Sequence, residues 1–254
     1  MLDPILVALG LLVGVVVGLT GVGGGALLTP LLIVVAGVRP TLAVGTDLAF
    51  AALTKAVGAG LHLRGGSVDL PLTARLAAGS VPGVLLGTQL VAHWERASGL
   101  AAQDGVARLL ALALLAAALA SLARVCGLGA LALAGREPGR LLPVGLGFGV
   151  GLTVGVTSIG AGSLLMAALA LLYTLPPRRA VGTDIVHGAL LAAVGAGAHG
   201  LDGRVDPAML ASLLAGSLPG ICLGSRLCLW LPSRPLSVGI AALLALSGVQ
   251  LLLR

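Results

Sequence analysis

Two clusters of glycine and small hydroxyl residues interrupt long apolar runs at corresponding places in the chain. The first covers residues 18–30 (GLTGVGGGALLTP), and the second, residues 155–167 (GVTSIGAGSLLMA), begins 137 residues later. Glycine is costly inside a helix, so each cluster predicts a break in a helical segment. Within a membrane, broken backbone persists only where protein buries it or where it lines a wet cavity. Two such breaks in matching positions indicate the binding site of a transporter.

The composition predicts a membrane protein that crosses the bilayer several times. Hydrophobic residues make up 58% of the chain and charged residues 9%, whereas globular proteins carry about 25% charged residues. So few charges cannot cover a soluble protein of this size. The net charge of +6 does not indicate nucleic-acid binding, because the arginines are scattered singly and aromatic residues are nearly absent. Cytoplasmic loops of membrane proteins commonly carry such a surplus of basic residues.

No metal site, disulfide framework or cofactor is predicted. Cys126, Cys222 and Cys228 form no C-x-x-C pair, and the histidines have no metal-ligand spacing. The chain starts Met-Leu-Asp-Pro, without a basic segment before the apolar run. We therefore expect a retained first helix rather than a signal peptide, in a protein of the plasma (inner) membrane.

The chain divides into two homologous halves that align without a gap. Matching segments at the constant offset of 137 residues include Val44-Gly-Thr-Asp47 with Val181-Gly-Thr-Asp184, His62 with His199, and Gly79-Ser-Val-Pro-Gly83 with Gly216-Ser-Leu-Pro-Gly220. We predict a first transmembrane repeat over residues 1–126, a linker loop over residues 127–140 and a second transmembrane repeat over residues 141–254.

Each half contains five apolar segments. They are predicted near residues 4–20, 25–37, 42–62, 70–92 and 106–126, and near residues 142–157, 162–175, 179–198, 207–230 and 236–253. A membrane span needs about 20 residues, so the first two segments of each half are interpreted as a hairpin of partial or tilted helices that meet at the glycines. Each half then crosses the membrane an odd number of times. The predicted fold class is an all-α polytopic membrane protein of two five-segment inverted-topology repeats with broken Gly-rich helical hairpins.

The loop arginines give an orientation. Nine lie on the side opposite the N-terminus and five on its own side, which predicts both termini outside the cytoplasm. Trp94 and Trp230, at the ends of the two fourth segments, are interpreted as residues of the membrane interface. Prolines 82 and 219 are expected to kink those segments.

Several motifs resemble the sulfite exporter TauE/SafE family of membrane permeases. Residues 21–30 (GVGGGALLTP) match its G-x-G-G-G-x-x-x-x-P signature, and residues 43–46 (AVGT), His62, residues 66–69 (GSVD) and residues 79–87 (GSVPGVLLG) follow in the family's order. The resemblance spans both halves. It implies transport of sulfur-containing anions such as sulfite, thiosulfate, sulfoacetate or other organosulfonates, with no enzymatic activity and no ATP hydrolysis by this chain.

Two features depart from the family pattern. Aspartate follows Gly-Thr in both halves, as Asp47 and Asp184, where the family usually has serine. The second glycine cluster is Gly160-Ala-Gly162 in place of three glycines. Both departures lie where the substrate is expected.

The substrate is expected to bind around the two breaks. A helix that starts at a break presents free N–H groups and the positive end of its dipole, and glycines let an oxyanion approach the backbone. Threonine and serine add hydroxyl donors. The alternative is close helix packing through small residues. The predicted substrate-binding residues are Thr20, Gly23, Gly24, Gly25, Thr46, Lys55, Thr157, Ser158, Gly160, Gly162 and Thr183.

Lys55 is the only lysine in the chain and lies in the third predicted segment, eight residues after Asp47, which is about 12 Å of helix. It is a counter-charge either for a sulfonate or for Asp47. The alternative is that its ammonium group reaches to the membrane interface.

Asp47, Asp184 and His187 are the predicted proton-coupling residues. Ionisable groups within a membrane are costly and usually functional, and burial favours the neutral acid. A carboxylate near the midplane would therefore take up and release protons, with His187 as a relay one turn after Asp184. The alternative is that Thr46-Asp47 and Thr183-Asp184 cap the third helices. An interface position and C-terminal capping explain His62 and His199, and the alternative is a gate or a proton relay.

The predicted function is a secondary transporter, coupled to protons, for sulfur-containing anions; an anion channel for the same substrates is the alternative. An intramembrane aspartyl protease is disfavoured, because the two aspartates occupy equivalent repeat positions without a second protease motif. The expected partners are a small sulfur-containing anion, the lipid bilayer, protons as the coupling ion and a second copy of the chain in a homodimer. No nucleic acid is expected.

Overall fold

The computed structural model describes residues 2–20, 25–125, 139, 141–160, 162–173, 175–227 and 233–253. In these parts all regular secondary structure is helical, and no strand occurs. In chain order the helices are α1 (Pro4–Thr20), α2 (Gly25–Val34), α3 (Pro40–Arg64), α4 (Leu70–Ser98), α5 (Leu100–Val125), α6 (Leu141–Thr157), α7 (Ser163–Leu172), α8 (Pro177–Leu201), α9 (Pro207–Leu227) and α10 (Ser233–Leu252). The all-α prediction is confirmed, and each predicted segment corresponds to one helix. Apart from Gly139, the predicted linker lies outside the described residues, as do Cys126, Cys228 and Trp230.

Five of these helices (α3, α4, α5, α8 and α9) are long and apolar enough to cross a membrane, by length and composition. Their outward faces are also apolar. On α3, for example, Leu53, Val57 and Leu61 are 52%, 70% and 65% exposed and follow one another at the four-residue spacing of one helix face. Exposed apolar surface on this scale is unsuited to water and suited to lipid.

Several helix boundaries differ from the prediction. Helices α3 and α8 begin at Pro40 and Pro177, a few residues earlier than expected, because proline favours the first helical position, where no N–H bond is lost. Helix α4 continues to Ser98, and α5 begins at Leu100 rather than near residue 106. Gly99 alone separates them, and its φ of 53° suits a residue without a Cβ.

The halves pack against each other through glycine. Helix α4 of the first half lies along α6 of the second, and α9 of the second lies along α1 of the first. At each of six glycines, a Cβ would press on a carbonyl oxygen of the facing helix. These glycines are Gly79, Gly83 and Gly87 on α4, against Val144, Phe148 and Leu152, and Gly216, Gly220 and Gly224 on α9, against Val7, Leu11 and Val15. The two sets are related by the offset of 137 residues.

Helices α3 and α8 pack in opposite directions. Gly58 faces Ile185, while Gly195 faces Leu48, so the two helices are antiparallel. These two contacts also map onto each other at the 137-residue offset. The packing is the one expected for inverted repeats. Inverted insertion and the repeat boundaries at residues 126 and 141 stay predictions.

Substituting alanine at two glycines of α6 tests the importance of backbone contact. A Cβ at Gly147 would overlap the carbonyl oxygen of Leu76 on α4, whereas a Cβ at Gly149 meets nothing within 4 Å. We expect Gly147→Ala to lower the stability of the purified protein by about 1–3 kcal/mol, as other overpacking substitutions do. The control, Gly149→Ala, should be neutral or slightly stabilising. Thermal unfolding in detergent measures both, and equal melting temperatures for the two variants would contradict the packing.

Candidate functional site

Asp47 lies in a buried cluster of hydroxyl groups. It is the eighth residue of α3 and is fully buried. Its Oδ2 accepts hydrogen bonds from the hydroxyl of Thr29 on α2 and from the hydroxyl of Ser158, which is 2.7 Å away. The two hydroxyl oxygens are themselves 2.7 Å apart. Asp47 Oδ1 is buried and has no hydrogen-bond partner among the described residues. The carboxylate of the first half therefore meets the helix break of the second half.

That second break has the backbone geometry that its glycines predict. Helix α6 ends at Thr157 and α7 begins at Ser163. Between them, Ser158, Gly160 and Gly162 have φ values of 62°, 132° and 125°. Ser158 is the one non-glycine residue with positive φ in the described parts of the chain. Such a conformation is unfavourable for serine and persists only where its surroundings fix it, which its bond to Asp47 helps to do. The predicted break at the second cluster is confirmed.

Lys55 and Asp184 meet beside the same break. Lys55 interacts electrostatically with Asp184 and, more weakly, with Asp47. A Cβ placed on Gly162 would lie 3.8 Å from Oδ2 of Asp184 and 4.0 Å from Nζ of Lys55. The ammonium group, the carboxylate and the start of α7 are therefore neighbours. No side chain caps α7 at Gly162.

The position of Lys55 differs from the prediction. Because α3 starts at Pro40 and ends at Arg64, Lys55 lies 15 residues from one end and nine from the other. The nearer end is then about 13 Å away along the helix. At this depth the ammonium group of Lys55 is far from the membrane interface and close to carboxylates. The structure therefore favours the interpretation of Lys55 as a counter-charge.

His187 adjoins this cluster. It lies on α8 one turn after Asp184, is fully buried and also interacts electrostatically with Lys55. Its Nε2 is 2.9 Å from the hydroxyl oxygen of Ser80 on α4, and its Nδ1 has no hydrogen-bond partner among the described residues. We define the buried charge cluster as Asp47, Lys55, Asp184 and His187. Three of these four residues are fully buried or nearly so.

Thr46 and Thr183 each accept a hydrogen bond from the segment that connects the third and fourth helices of the opposite half. The hydroxyl of Thr46 accepts a hydrogen bond of 3.1 Å from the backbone N–H of Asp206, and that of Thr183 accepts one of 2.9 Å from Asp69. Both lie in the second turn of their helices, so the alternative that the Thr-Asp pairs cap α3 and α8 is wrong. Their role as substrate ligands stays a prediction.

The other predicted residues are distributed as follows. The hydroxyl of Thr157 donates to the carbonyl of Thr153 at 2.7 Å and accepts from the N–H of Ile159 at 3.2 Å, so it stabilises the end of α6. Thr20 ends α1 and Gly25 begins α2. Gly23 and Gly24 lie outside the described residues.

The histidines at the ends of the third segments differ from each other. His62 is partly buried, and its Nδ1 is 2.7 Å from the hydroxyl oxygen of Ser67. His199 is fully buried, and its Nε2 is 2.8 Å from the carbonyl oxygen of Gly155. His199 lies in the last turn of α8, as predicted, and is buried because this end of α8 packs against α6. Its position at the membrane interface stays a prediction.

Two site residues were missed from the sequence. Thr29, which binds Asp47, falls within the motif of residues 21–30 and is the only hydroxyl residue of α2. Ser80, which contacts His187, belongs to the repeated Gly-Ser-x-Pro-Gly segment. In both cases the signal was a polar residue inside an apolar helix. The described residues contain no group of three metal-ligating side chains close enough to hold an ion.

Thr29→Val tests the hydroxyl cluster. The substitution keeps the shape of the side chain but removes a donor from a buried carboxylate, and we expect a loss of about 1–3 kcal/mol of stability. Thr54→Val is the control, because its hydroxyl donates to Phe50 of its own helix at 2.9 Å. That variant should stay within about 0.5 kcal/mol of wild type. Thermal unfolding in detergent compares them, and an equally stable Thr29→Val would contradict the bond to Asp47.

The chain has recognisable relatives. The family model described as "Sulfite exporter TauE/SafE" matches residues 6–251. The probable membrane transporter protein YjnA of Bacillus subtilis (strain 168) is 37% identical over 252 residues, which cover 97% of this chain and 98% of the relative. The probable membrane transporter proteins YunE and YdhB of the same organism are each 26% identical, over 98% and 95% of this chain and 96% of each relative. No solved structure matches.

Proposed function

This chain belongs to the sulfite exporter TauE/SafE family of multi-pass membrane transporters, and from that premise we propose that it carries sulfur-containing anions, such as sulfite, thiosulfate or organosulfonates, coupled to protons. The observation that carries the proposal is the single lysine, which interacts electrostatically with two buried aspartates and lies beside a helix break. We further propose that the transporter works in the plasma (inner) membrane, with both termini outside the cytoplasm.

The anion site that we propose lies between Lys55 and the start of α7. A helix N-terminus carries partial positive charge, and its first N–H groups have no partner within the helix. Gly162 has no side chain to shield its backbone from an oxyanion that binds the nearby ammonium group. Ser158 adds a hydroxyl at the same break. These are the donors that an oxyanion needs once water has been removed.

Proton coupling follows from the balance of charge in the buried charge cluster. One ammonium group cannot neutralise two buried carboxylates, and an uncompensated buried charge is strongly unfavourable. An incoming anion would add a further negative charge. It therefore binds best when at least one aspartate is protonated, so that anion and proton strengthen each other's binding.

The two aspartates have different roles in this proposal. Asp184 competes with the anion for Lys55, so its protonation frees the lysine for the substrate. Asp47 accepts two hydroxyl hydrogen bonds and is held against the break at Ser158. Protonation of Asp47 would alter those bonds and thereby the geometry of the break. His187, one turn from Asp184, is the proposed route by which the proton reaches the cluster.

An anion channel for the same substrates is the alternative. Both models use the same donors, and they differ in whether the anion moves against its gradient. Saturable uptake that depends on a proton gradient is expected of the carrier, whereas a channel passes the anion only down its electrochemical gradient.

Lys55→Gln tests the counter-charge. The loss of a charged hydrogen bond of about 1.5–3 kcal/mol should weaken the binding of thiosulfate about 10- to 100-fold. Lys55→Arg, the matched control, keeps the charge and should retain part of the affinity. Calorimetric titration of folded, monodisperse protein measures both variants, and an unchanged affinity in Lys55→Gln would place the anion elsewhere.

Asp47→Asn and Asp184→Asn test the coupling. Asparagine resembles the protonated acid but cannot release a proton, so each variant should bind the anion without the wild-type dependence on pH. Each should also lose accumulation driven by a proton gradient, while exchange of anions continues. Uptake into proteoliposomes with and without a pH gradient measures this, and undiminished gradient-driven uptake in both variants would refute the coupling.

A further inference from the structure

A second polar cluster lies where α3 begins, α4 ends and α8 connects to α9. These segments surround a cleft of about 390 Å³ lined by Arg39, Arg96 and Arg204 and by Glu95 and Asp202. We call it the arginine cleft. It is separate in position from the buried charge cluster, because its residues come from the ends of the helices rather than from their middles.

The two carboxylates of the arginine cleft are both bound to one arginine. Nε of Arg204 is 2.6 Å from Oε2 of Glu95, and its Nη1 is 3.1 Å from Oδ2 of Asp202. The other oxygen of Glu95 accepts hydrogen bonds from Gln103 and, at 2.7 Å, from the hydroxyl of Thr41. The side chain of Arg204 is only 10% exposed. This arrangement holds Arg204 in place, and both carboxylates that line the cleft are paired with it.

Among the described residues, the remaining two arginines form no ion pair with a carboxylate. Arg39 and Arg96 are exposed, and among the described residues of the cleft the ion pairs involve Arg204 alone. Nε of Arg96 donates to the carbonyl of Ala92 at 3.2 Å, which leaves its two terminal nitrogens for another acceptor. Guanidinium groups bind oxyanions through two parallel hydrogen bonds, and the three arginines outnumber the two carboxylates, which leaves the cleft with an excess of positive charge that attracts anions.

The arginine cleft is connected to the buried charge cluster by short stretches of backbone. The carbonyl oxygen of Arg204 packs against Gly45, and the N–H of Asp206 donates to Thr46. Asp47 is the next residue. The segment that forms one wall of the cleft therefore also positions the start of the buried site.

We infer that the arginine cleft is a second oxyanion-binding site, at which Arg39 and Arg96 collect the transported anion before it reaches Lys55. The inference rests on the proposed function. The other half of the chain has no counterpart of these arginines, since the matching positions hold Pro176 and Ser233. The collecting site therefore serves one face of the membrane only.

The oxyanion has two sources at a membrane surface, a free sulfur oxyanion and the phosphate of a lipid headgroup. Both have the charge and the acceptor oxygens that a pair of guanidinium groups recognises. A collecting role requires the free anion, and the test below separates the two sources by varying the lipid.

The double variant Arg39→Gln/Arg96→Gln tests the collecting role. Its matched control is Arg64→Gln/Arg75→Gln, which removes two exposed arginines from the opposite ends of the same two helices. Thiosulfate transport is measured from each side of proteoliposomes made of phosphatidylcholine. We expect the double variant to raise KM about tenfold from one side at low salt, with an unchanged maximal rate. The difference should shrink near 0.15 M salt, where the screening length falls to about 8 Å.

Direct binding separates this inference from the proposed function. In a Lys55→Gln background, calorimetric titration with thiosulfate should retain a weak site that disappears when Arg39 and Arg96 are also replaced. A double variant that behaves like its control from both sides, in a wild type that transports, would overturn the arginine cleft alone. A wild type without saturable anion binding or uptake would overturn the proposed function.

The lipid arm identifies the occupant. If vesicles containing phosphatidylglycerol raise the melting temperature of the wild type but not of the double variant, while KM is unchanged, the cleft holds a lipid headgroup and the collecting role is wrong. If phosphatidylglycerol has no effect and KM rises, the free anion is the occupant.

Discussion

Direct contact between helix backbones at glycine holds the two halves of this protein together. Lipid tails are as apolar as leucine, so helices in a membrane gain little from burying leucine and associate mainly through close packing. The glycines of α4 and α9 permit that packing against α6 and α1, in each case a helix of the other half. Because α6 ends at the second break, its contacts with the glycines of α4 also fix the position of Ser158. The position of the buried site depends on these glycines.

Much of the fold was predictable because the duplication survives in the sequence. The offset of 137 residues identified ten segments in the right order, and the glycine cluster identified the second break. The third segments were predicted to start at residues 42 and 179, two residues late, because Pro40 and Pro177 begin the helices. Near the early start of α5, the amide of Gln103 donates a hydrogen bond to Glu95 on the neighbouring helix. Contacts of that kind leave no periodic signal in the sequence.

The candidate site was predictable residue by residue but not as an arrangement. The sequence indicated Asp47, Lys55, Asp184 and Ser158 as site residues. Which of them lie next to each other depends on how the two halves pack together. Asp47 and Asp184 are equivalent by duplication, yet Asp47 accepts hydrogen bonds from Thr29 and Ser158, and Lys55 interacts more strongly with Asp184 than with Asp47. The reason lies in divergence around them, because Lys55 and His187 match Ala192 and Phe50. A symmetric scaffold thus holds an asymmetric site.

The pairing of α1 with α9 also constrains how the protein is made. Gly14 of α1 faces Ser217 of α9, more than two hundred residues later in the chain. At a synthesis rate of about 5–20 residues per second, the glycine face of α1 waits about 10–40 s for its partner. During that interval it is open to lipid or to another membrane helix with small residues. In contrast, α4 is already synthesised when α6 emerges, so the pair of α4 and α6 forms before the pair of α1 and α9.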